Sequence, residues 1–181
     1  WTTFSPVNAA GNFFKVDNVT AYKEYSGGGQ FCIGDFGTVI NVKVYLEGPY
    51  IGGGLMRTNI NSDGLIPLDQ PYNTSQYNYN GTESVLSIPA GVVDWVYLEI
   101  RSSDNGVAIP GGRRAAFVKE DGSVVDLDGL NPVKITGILP GNYYVVVGHR
   151  NHLPIMSANA LTLNTSSPLF DFSTSLLNVY G

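Results

Sequence analysis

The stretch Val92-Val93-Asp94-Trp95-Val96-Tyr97-Leu98-Glu99-Ile100-Arg101 decides the class of fold. Successive side chains of an extended chain point to opposite faces. Val96, Leu98 and Ile100 therefore share one face, and Trp95, Tyr97, Glu99 and Arg101 share the other. The run has no Gly or Pro and is rich in β-branched and aromatic residues, which predicts a strand. The same alternation recurs from Thr38 to Glu47, with Ile40, Val42, Val44 and Leu46 on one side and Val39, Asn41, Lys43, Tyr45 and Glu47 on the other. Further strands are expected at 84–88, 114–119, 133–138 and 142–150. Turn signals punctuate them at Ser62-Asp63-Gly64, Asp104-Asn105-Gly106, Pro110-Gly111-Gly112, Asp121-Gly122 and Pro140-Gly141. Many short strands at such intervals predict an all-β chain, an antiparallel β-sandwich of immunoglobulin or transthyretin type.

Composition agrees. Of 181 residues only 14% are charged, against roughly 25% in soluble domains, and Gly (22) and Tyr (11) take up much of the difference. The net charge of −5 argues against nucleic acid, whose binding needs a concentrated basic surface. Arg113-Arg114 is the sole basic doublet and reads as solvated turn charge. No apolar run reaches the ~20 residues that span a bilayer, so no membrane insertion is expected. The single cysteine, Cys32, reads as a small buried residue.

The ends differ from the middle. Residues 1–29 are expected to form an N-terminal arm or first strand ending in the hinge Gly27-Gly28-Gly29, and residues 30–181 the sandwich domain. The arm carries the anchors Phe13, Phe14, Val16, Val19, Tyr22 and Tyr25, too apolar for a solvated tail. It either packs as the first strand of its own sandwich or completes the sheet of a neighbouring copy. Phe170 to Tyr180 reads as a last strand or as a linker into a further domain.

The blocks Val42-Lys43-Val44-Tyr45-Leu46-Glu47-Gly48, Leu65-Ile66-Pro67-Leu68, Val92-Val93-Asp94-Trp95-Val96, Arg113-Arg114-Ala115-Ala116-Phe117, Gly122-Ser123-Val124-Val125-Asp126-Leu127-Asp128-Gly129, Gly141-Asn142-Tyr143-Tyr144-Val145-Val146-Val147 and His149-Arg150-Asn151-His152-Leu153-Pro154 follow one another in the chain. In that order they resemble a C-terminal β-sandwich module of large secreted proteins of Bacteroidetes-like bacteria, haemagglutinin-like and functionally uncharacterised. The resemblance spans about Val42 to Leu163. It implies export and an extracellular or cell-surface location, and it implies no reaction.

No catalytic residues stand out. A nucleophilic triad needs a histidine, only His149 and His152 exist, and no Gly-x-Ser-x-Gly elbow occurs. No cofactor is expected. No metal site is expected either, because positions three apart on a strand point opposite ways unless the strand ends at Gly148. Asp126-Leu127-Asp128-Gly129 lacks the remainder of a calcium loop and reads as a tight turn. The aromatic residues carry the strongest signal. Trp95 and Tyr97, with Tyr45 on another strand, face outward, and Pro71 to Thr82 reads as a long surface loop bearing Tyr72, Tyr77 and Tyr79. These six aromatics are the expected binding or assembly surface. The alternative is that the chain's own arm or Tyr-rich loop covers the face. The function expected is a non-enzymatic structural subunit of a bacterial surface assembly (filament, sheath or surface layer) whose partner is a copy of itself. A glycan-binding, adhesive module is the alternative.

Overall fold

The computed structural model describes residues 37–180 and, nearer the N-terminus, the backbone of two short strands, β1 (Lys15–Val16) and β2 (Val19–Thr20), paired antiparallel with Val16 opposite Val19. The chain divides into two compact units, Trp1–Phe36 and Gly37–Gly181. The arm anchors Phe13, Phe14, Tyr22 and Tyr25 lie outside the described residues, as do Cys32 and the glycine hinge. For Val16 and Val19 the backbone pairing alone is described.

The second unit is built almost wholly of strands. In chain order they are β3 (Gly37–Ile40), β4 (Val42–Lys43), β5 (Tyr50–Gly52) and β6 (Leu55–Met56), then a single helical turn α1 (Asn59–Ser62). There follow β7 (Val92–Arg101), β8 (Ala108–Lys119), β9 (Val124–Val125), β10 (Val133–Thr136), β11 (Gly141–His149), β12 (His152–Met156), β13 (Leu161–Leu163) and β14 (Phe170–Asp171). The main sheet runs β12-β11-β7-β8-β9, all antiparallel, with β13 pairing the first residues of β11. β10 pairs β3 antiparallel, and β14 pairs β4 in parallel. The chain is all-β. Beside the one broad antiparallel sheet these pieces pair two by two.

β7 sits at the centre, between β11 and β8, and spans the predicted Val92 to Arg101. A bulge between Val92 and Asp94 breaks the alternation at its start, so Val93 joins the aliphatic side and Val92 the aromatic side. On the aliphatic side, Val96, Leu98 and Ile100 pack with Ile40, Val42, Val44 and Leu46 of the first strands, Val133 and Ile135 of β10, and Val145 and Val147 of β11. The predicted inward set of Thr38 to Glu47 is thus the buried one, although ladder pairing stops at Lys43.

Three expectations need correction. Residues 84–88 form no strand; Ser84 makes a single bridge to Asp69. Pro110-Gly111-Gly112 is not a turn between strands but lies inside β8. There the register slips between the pairs Glu99–Arg113 and Arg101–Ala108, and Gly111 takes φ +74°, a conformation that costs glycine little. A Cβ on Gly112 would come within 2.7 Å of Ile100 Cγ1, so the bulge is also a close approach. Arg113 and Arg114 are likewise strand residues with partners: Arg113 Nε donates to Glu99 at 3.0 Å, and Arg114 Nη2 to Asp126 at 2.6 Å. The Asp126–Gly129 stretch is a turn, as expected. Asp128 accepts the N–H groups of Leu130 and Asn131, and Gly129 has φ +71°.

Candidate functional site

The aromatic face of β7 is enclosed. Trp95 is 0% exposed and Tyr97 4%. Residues from Ile66 to Ile88 lie over them, so Tyr72, Tyr79 and Ile66 are buried with Trp95, Tyr97 and Phe117 in a second core, edged by Tyr77, Val85 and Ile88. The expectation of an outward binding surface at Trp95, Tyr97, Tyr72, Tyr77 and Tyr79 is therefore corrected. Covering by the chain's own Tyr-rich segment, the alternative, is the observed arrangement. The physical reason is that tyrosine brings a large apolar ring and a hydroxyl that can answer a buried backbone group. Tyr72 Oη donates to the Trp95 carbonyl at 2.8 Å, and Trp95 Nε1 donates to the Pro67 carbonyl at 2.8 Å. The Ala115 N–H donates to Tyr79 Oη at 3.2 Å, and Tyr79 Oη hydrogen-bonds Glu83. The rings of Tyr72, Tyr77 and Tyr79 meet Tyr97 at centroid distances of 5.7, 5.3 and 5.5 Å, the range of favourable aromatic pairs. Burial, the largest cause in each, pushes the hydroxyls of Tyr72, Tyr79 and Tyr97 well above the ordinary tyrosine value.

Beyond the rings lies a buried carboxylate. Glu99 accepts from Tyr97 Oη at 2.9 Å, Arg101 Nε at 2.6 Å and Arg113 Nε at 3.0 Å. Burial alone would raise its pKa. The hydrogen bonds from Arg101, Arg113 and Tyr97 outweigh burial and hold it below 4.5.

The two histidines lie at the other end of β7. The turn between β11 and β12 is only Arg150 and Asn151, so His149 and His152 are cross-strand partners. The expectation that they point apart is corrected: a two-residue hairpin reverses the chain between them and sets both on one side. Their Nδ1 atoms are 2.8 Å apart. His149 Nε2 lies 3.2 Å from Asp94 Oδ2, and Arg150 Nη2 reaches both oxygens of Asp94 at 3.0 and 2.8 Å. Asp94 also accepts the Trp95 N–H. Both rings line a cleft of about 690 Å3 with Leu46, Glu47, Pro49, Arg57 and Ile60. Nothing in the chain spacing alone gives this cluster away; a strand ending at His149 with a polar two-residue turn after it is the signal that could have found it.

Tyr45 is half-buried. Its ring lies 5.0 Å from that of Tyr50, and its hydroxyl donates to the Gly54 carbonyl at 3.0 Å. It thereby holds the β5–β6 hairpin, whose turn strings together Gly52, Gly53 and Gly54 at φ +88°, +63° and +76°, a run that side chains bearing a Cβ rarely adopt. The hairpin carries exposed Tyr50, Ile51 and Leu55.

Compared with known proteins, the chain matches no family model, no curated sequence and no solved structure. Among the described residues no helix is long and apolar enough to cross a membrane.

Proposed function

We propose that this chain is a non-enzymatic structural module of an extracellular or cell-surface assembly and that its partner is a further copy of itself. The observation that carries the reading is the β5–β6 hairpin. Tyr50 is 43% exposed, Ile51 51% and Leu55 47%, on a projecting turn with no charged residue between Pro49 and Met56. Exposed apolar groups gathered on one hairpin are what a contact surface would present. The use of charge supports it. Glu99 ties β7 to β8 through Arg113, Asp94 of β7 holds the β11–β12 turn through Arg150, and Asp126 holds β8 through Arg114, as befits a rigid building block. The likeness to secreted bacterial surface modules supports the location. The glycan reading rested on Trp95, Tyr97 and the 71–82 loop; the rings of Trp95 and Tyr97 are enclosed, as are those of Tyr72 and Tyr79 in the loop, and no observation favours it.

Negative-stain microscopy and light scattering on the full chain at rising concentration test the proposal. Ordered filaments or oligomers are expected, abolished by Ile51→Asp with Leu55→Asp while the melting temperature holds. Deleting residues 1–26 tests the arm: if the arm is donated between copies, the truncated chain stays dispersed and a 1–26 peptide binds it. Full-length chains that stay monomeric at every concentration would contradict the proposal.

A further inference from the structure

The chain holds the pairs Asn80-Gly81 and Asn105-Gly106. After an asparagine, glycine lets the next backbone nitrogen approach the side-chain amide carbon most easily, because it has no Cβ to obstruct the way. The fold treats the two pairs differently. Between β7 and β8 the Gly106 N–H donates to the Ser103 carbonyl at 3.2 Å, and Asn105 Oδ1 accepts from Ser103 Oγ at 3.4 Å. Asn80 is exposed, and among the described residues neither its side chain nor the Gly81 N–H has a hydrogen-bond partner. On both sides of that open bond the chain is fixed. Tyr79 is buried against Tyr97, and its hydroxyl accepts the Ala115 N–H. The Gly81 carbonyl accepts from Gln70 Nε2 at 2.8 Å. A Cβ on Gly81 would fall on the Tyr79 ring and the Glu83 carboxylate, so the packing of the cover itself requires glycine after Asn80.

We propose that Asn80 is a site of spontaneous modification, converted by water to aspartate and isoaspartate in the folded chain, and that the isoaspartate form loosens the Tyr-rich cover over Tyr97. The Gly81 nitrogen loses its proton to solvent hydroxide and attacks Asn80 Cγ. A bond forms between that nitrogen and Cγ, the bond from Cγ to the side-chain nitrogen breaks, and the side-chain nitrogen leaves as ammonia. The product is a cyclic succinimide. Water then opens the ring. Attack at Cγ yields aspartate, and attack at the Asn80 backbone carbonyl yields isoaspartate, whose main chain runs through Cβ and Cγ. Nothing is oxidised or reduced. Either product adds a negative charge to a chain whose net charge is already −5. Isoaspartate also adds a methylene carbon to the main chain between two anchors, the Tyr79 hydroxyl and the Gly81 carbonyl, which the fold holds in place. Asn105 is the slower of the two in the folded chain, because its turn must first give up the Gly106 hydrogen bond, worth roughly two- to tenfold in rate.

The test ages the full chain at mildly alkaline pH, in buffer and in urea, and follows the proteolytic fragments that carry Asn80 and Asn105 by mass spectrometry. The ratio of the Asn80 rate to the Asn105 rate is expected to rise roughly two- to tenfold on folding, since urea removes the turn that protects Asn105. An isoaspartate-specific methyltransferase labels the aged chain at position 80, and anion exchange separates the converted chains by their added charge. The fraction carrying isoaspartate at position 80 is expected to melt below the unaged parent. Asn80→Gln, whose longer side chain closes the ring poorly at an exposed position, ages without that loss. A rate ratio that folding leaves unchanged or lowers, an Asn80 that stays intact while Asn105 converts, or an isoaspartate fraction that melts with the parent overturns the proposal.

Discussion

The two faces of β7 are both buried, yet they are buried by different means. The aliphatic face, Val96, Leu98 and Ile100, meets the side chains of other strands, so the backbone groups on either side are answered within ladders. The aromatic face, Trp95 and Tyr97, meets a segment with almost no regular structure between Ile66 and Ile88. That segment has one antiparallel bridge, Asp69 to Ser84, and a few local backbone bonds, and side chains supply others: Gln70 accepts the Tyr72 N–H at 2.6 Å and donates to the Gly81 carbonyl at 2.8 Å. Non-polar area alone suffices where strands face strands. Where an irregular segment is the cover, Tyr72, Tyr79 and Trp95 bring hydrogen bonds as well as rings, which tyrosine and tryptophan can supply and leucine cannot.

Truncating the aromatic face should have the largest effect. Trp95→Ala is expected to cost about 3–5 kcal/mol, in the same range as or above Leu98→Ala on the opposite face at about 2–5 kcal/mol. Urea unfolding of both variants checks this; a Trp95→Ala chain of parental stability would mean that the face is open. Smaller is the loss of one buried partner. Tyr72→Phe keeps the ring but removes the bond to the Trp95 carbonyl, and a drop of about 1–2 kcal/mol is expected, readable as a shift in the urea midpoint with unchanged slope.

Most of the aliphatic half was legible in the sequence, because period-two alternation reports directly on a face that meets other strands. The bounds of β7, its inward set Val96, Leu98 and Ile100, and the inward set Ile40, Val42, Val44 and Leu46 came through without change. The aromatic half was not, since the Tyr-Asn run from Tyr72 to Asn80 has no strand or helix period, and nothing local says that its rings turn inward. The slip at Gly111 hid inside β8 for a related reason: Pro-Gly-Gly signals a turn wherever no partner strand is known to continue past it. His149 and His152 were misread because their relation depends on where β11 ends, a boundary the alternation of Tyr143 to Val147 leaves open. Arg113 and Arg114 show the same limit, for their carboxylates sit 14 and 12 residues away in sequence.

The smallest expected effect is in the pH dependence, and it too separates the faces. The buried members of the aliphatic core have no titrating group. Glu99 has its pKa held below 4.5 in the folded chain, so below that value the unfolded chain binds the extra proton. Its contribution is present above about pH 4.5 and lost as pH falls through the folded value. Tyr72, Tyr79 and Tyr97 are raised above 10.0. Unfolded tyrosine ionises first, and their contribution is full below pH 10 and declines as pH climbs past it. Thermal unfolding across pH should therefore show an acid limb that Glu99→Gln flattens and Leu98→Ala leaves in shape. Equal flattening by both would break the assignment of the acid limb to the aromatic side.

Trp95 is enclosed by the chain's own Tyr-rich segment, and its indole reports on that directly. In a Trp1→Phe variant, where Trp95 is the sole tryptophan, fluorescence is read with and without acrylamide. Blue-shifted emission and weak quenching are expected in the native protein, both reverting to solvent values in urea. Native emission at the wavelength of free indole, quenched as readily as in the unfolded chain, would contradict it.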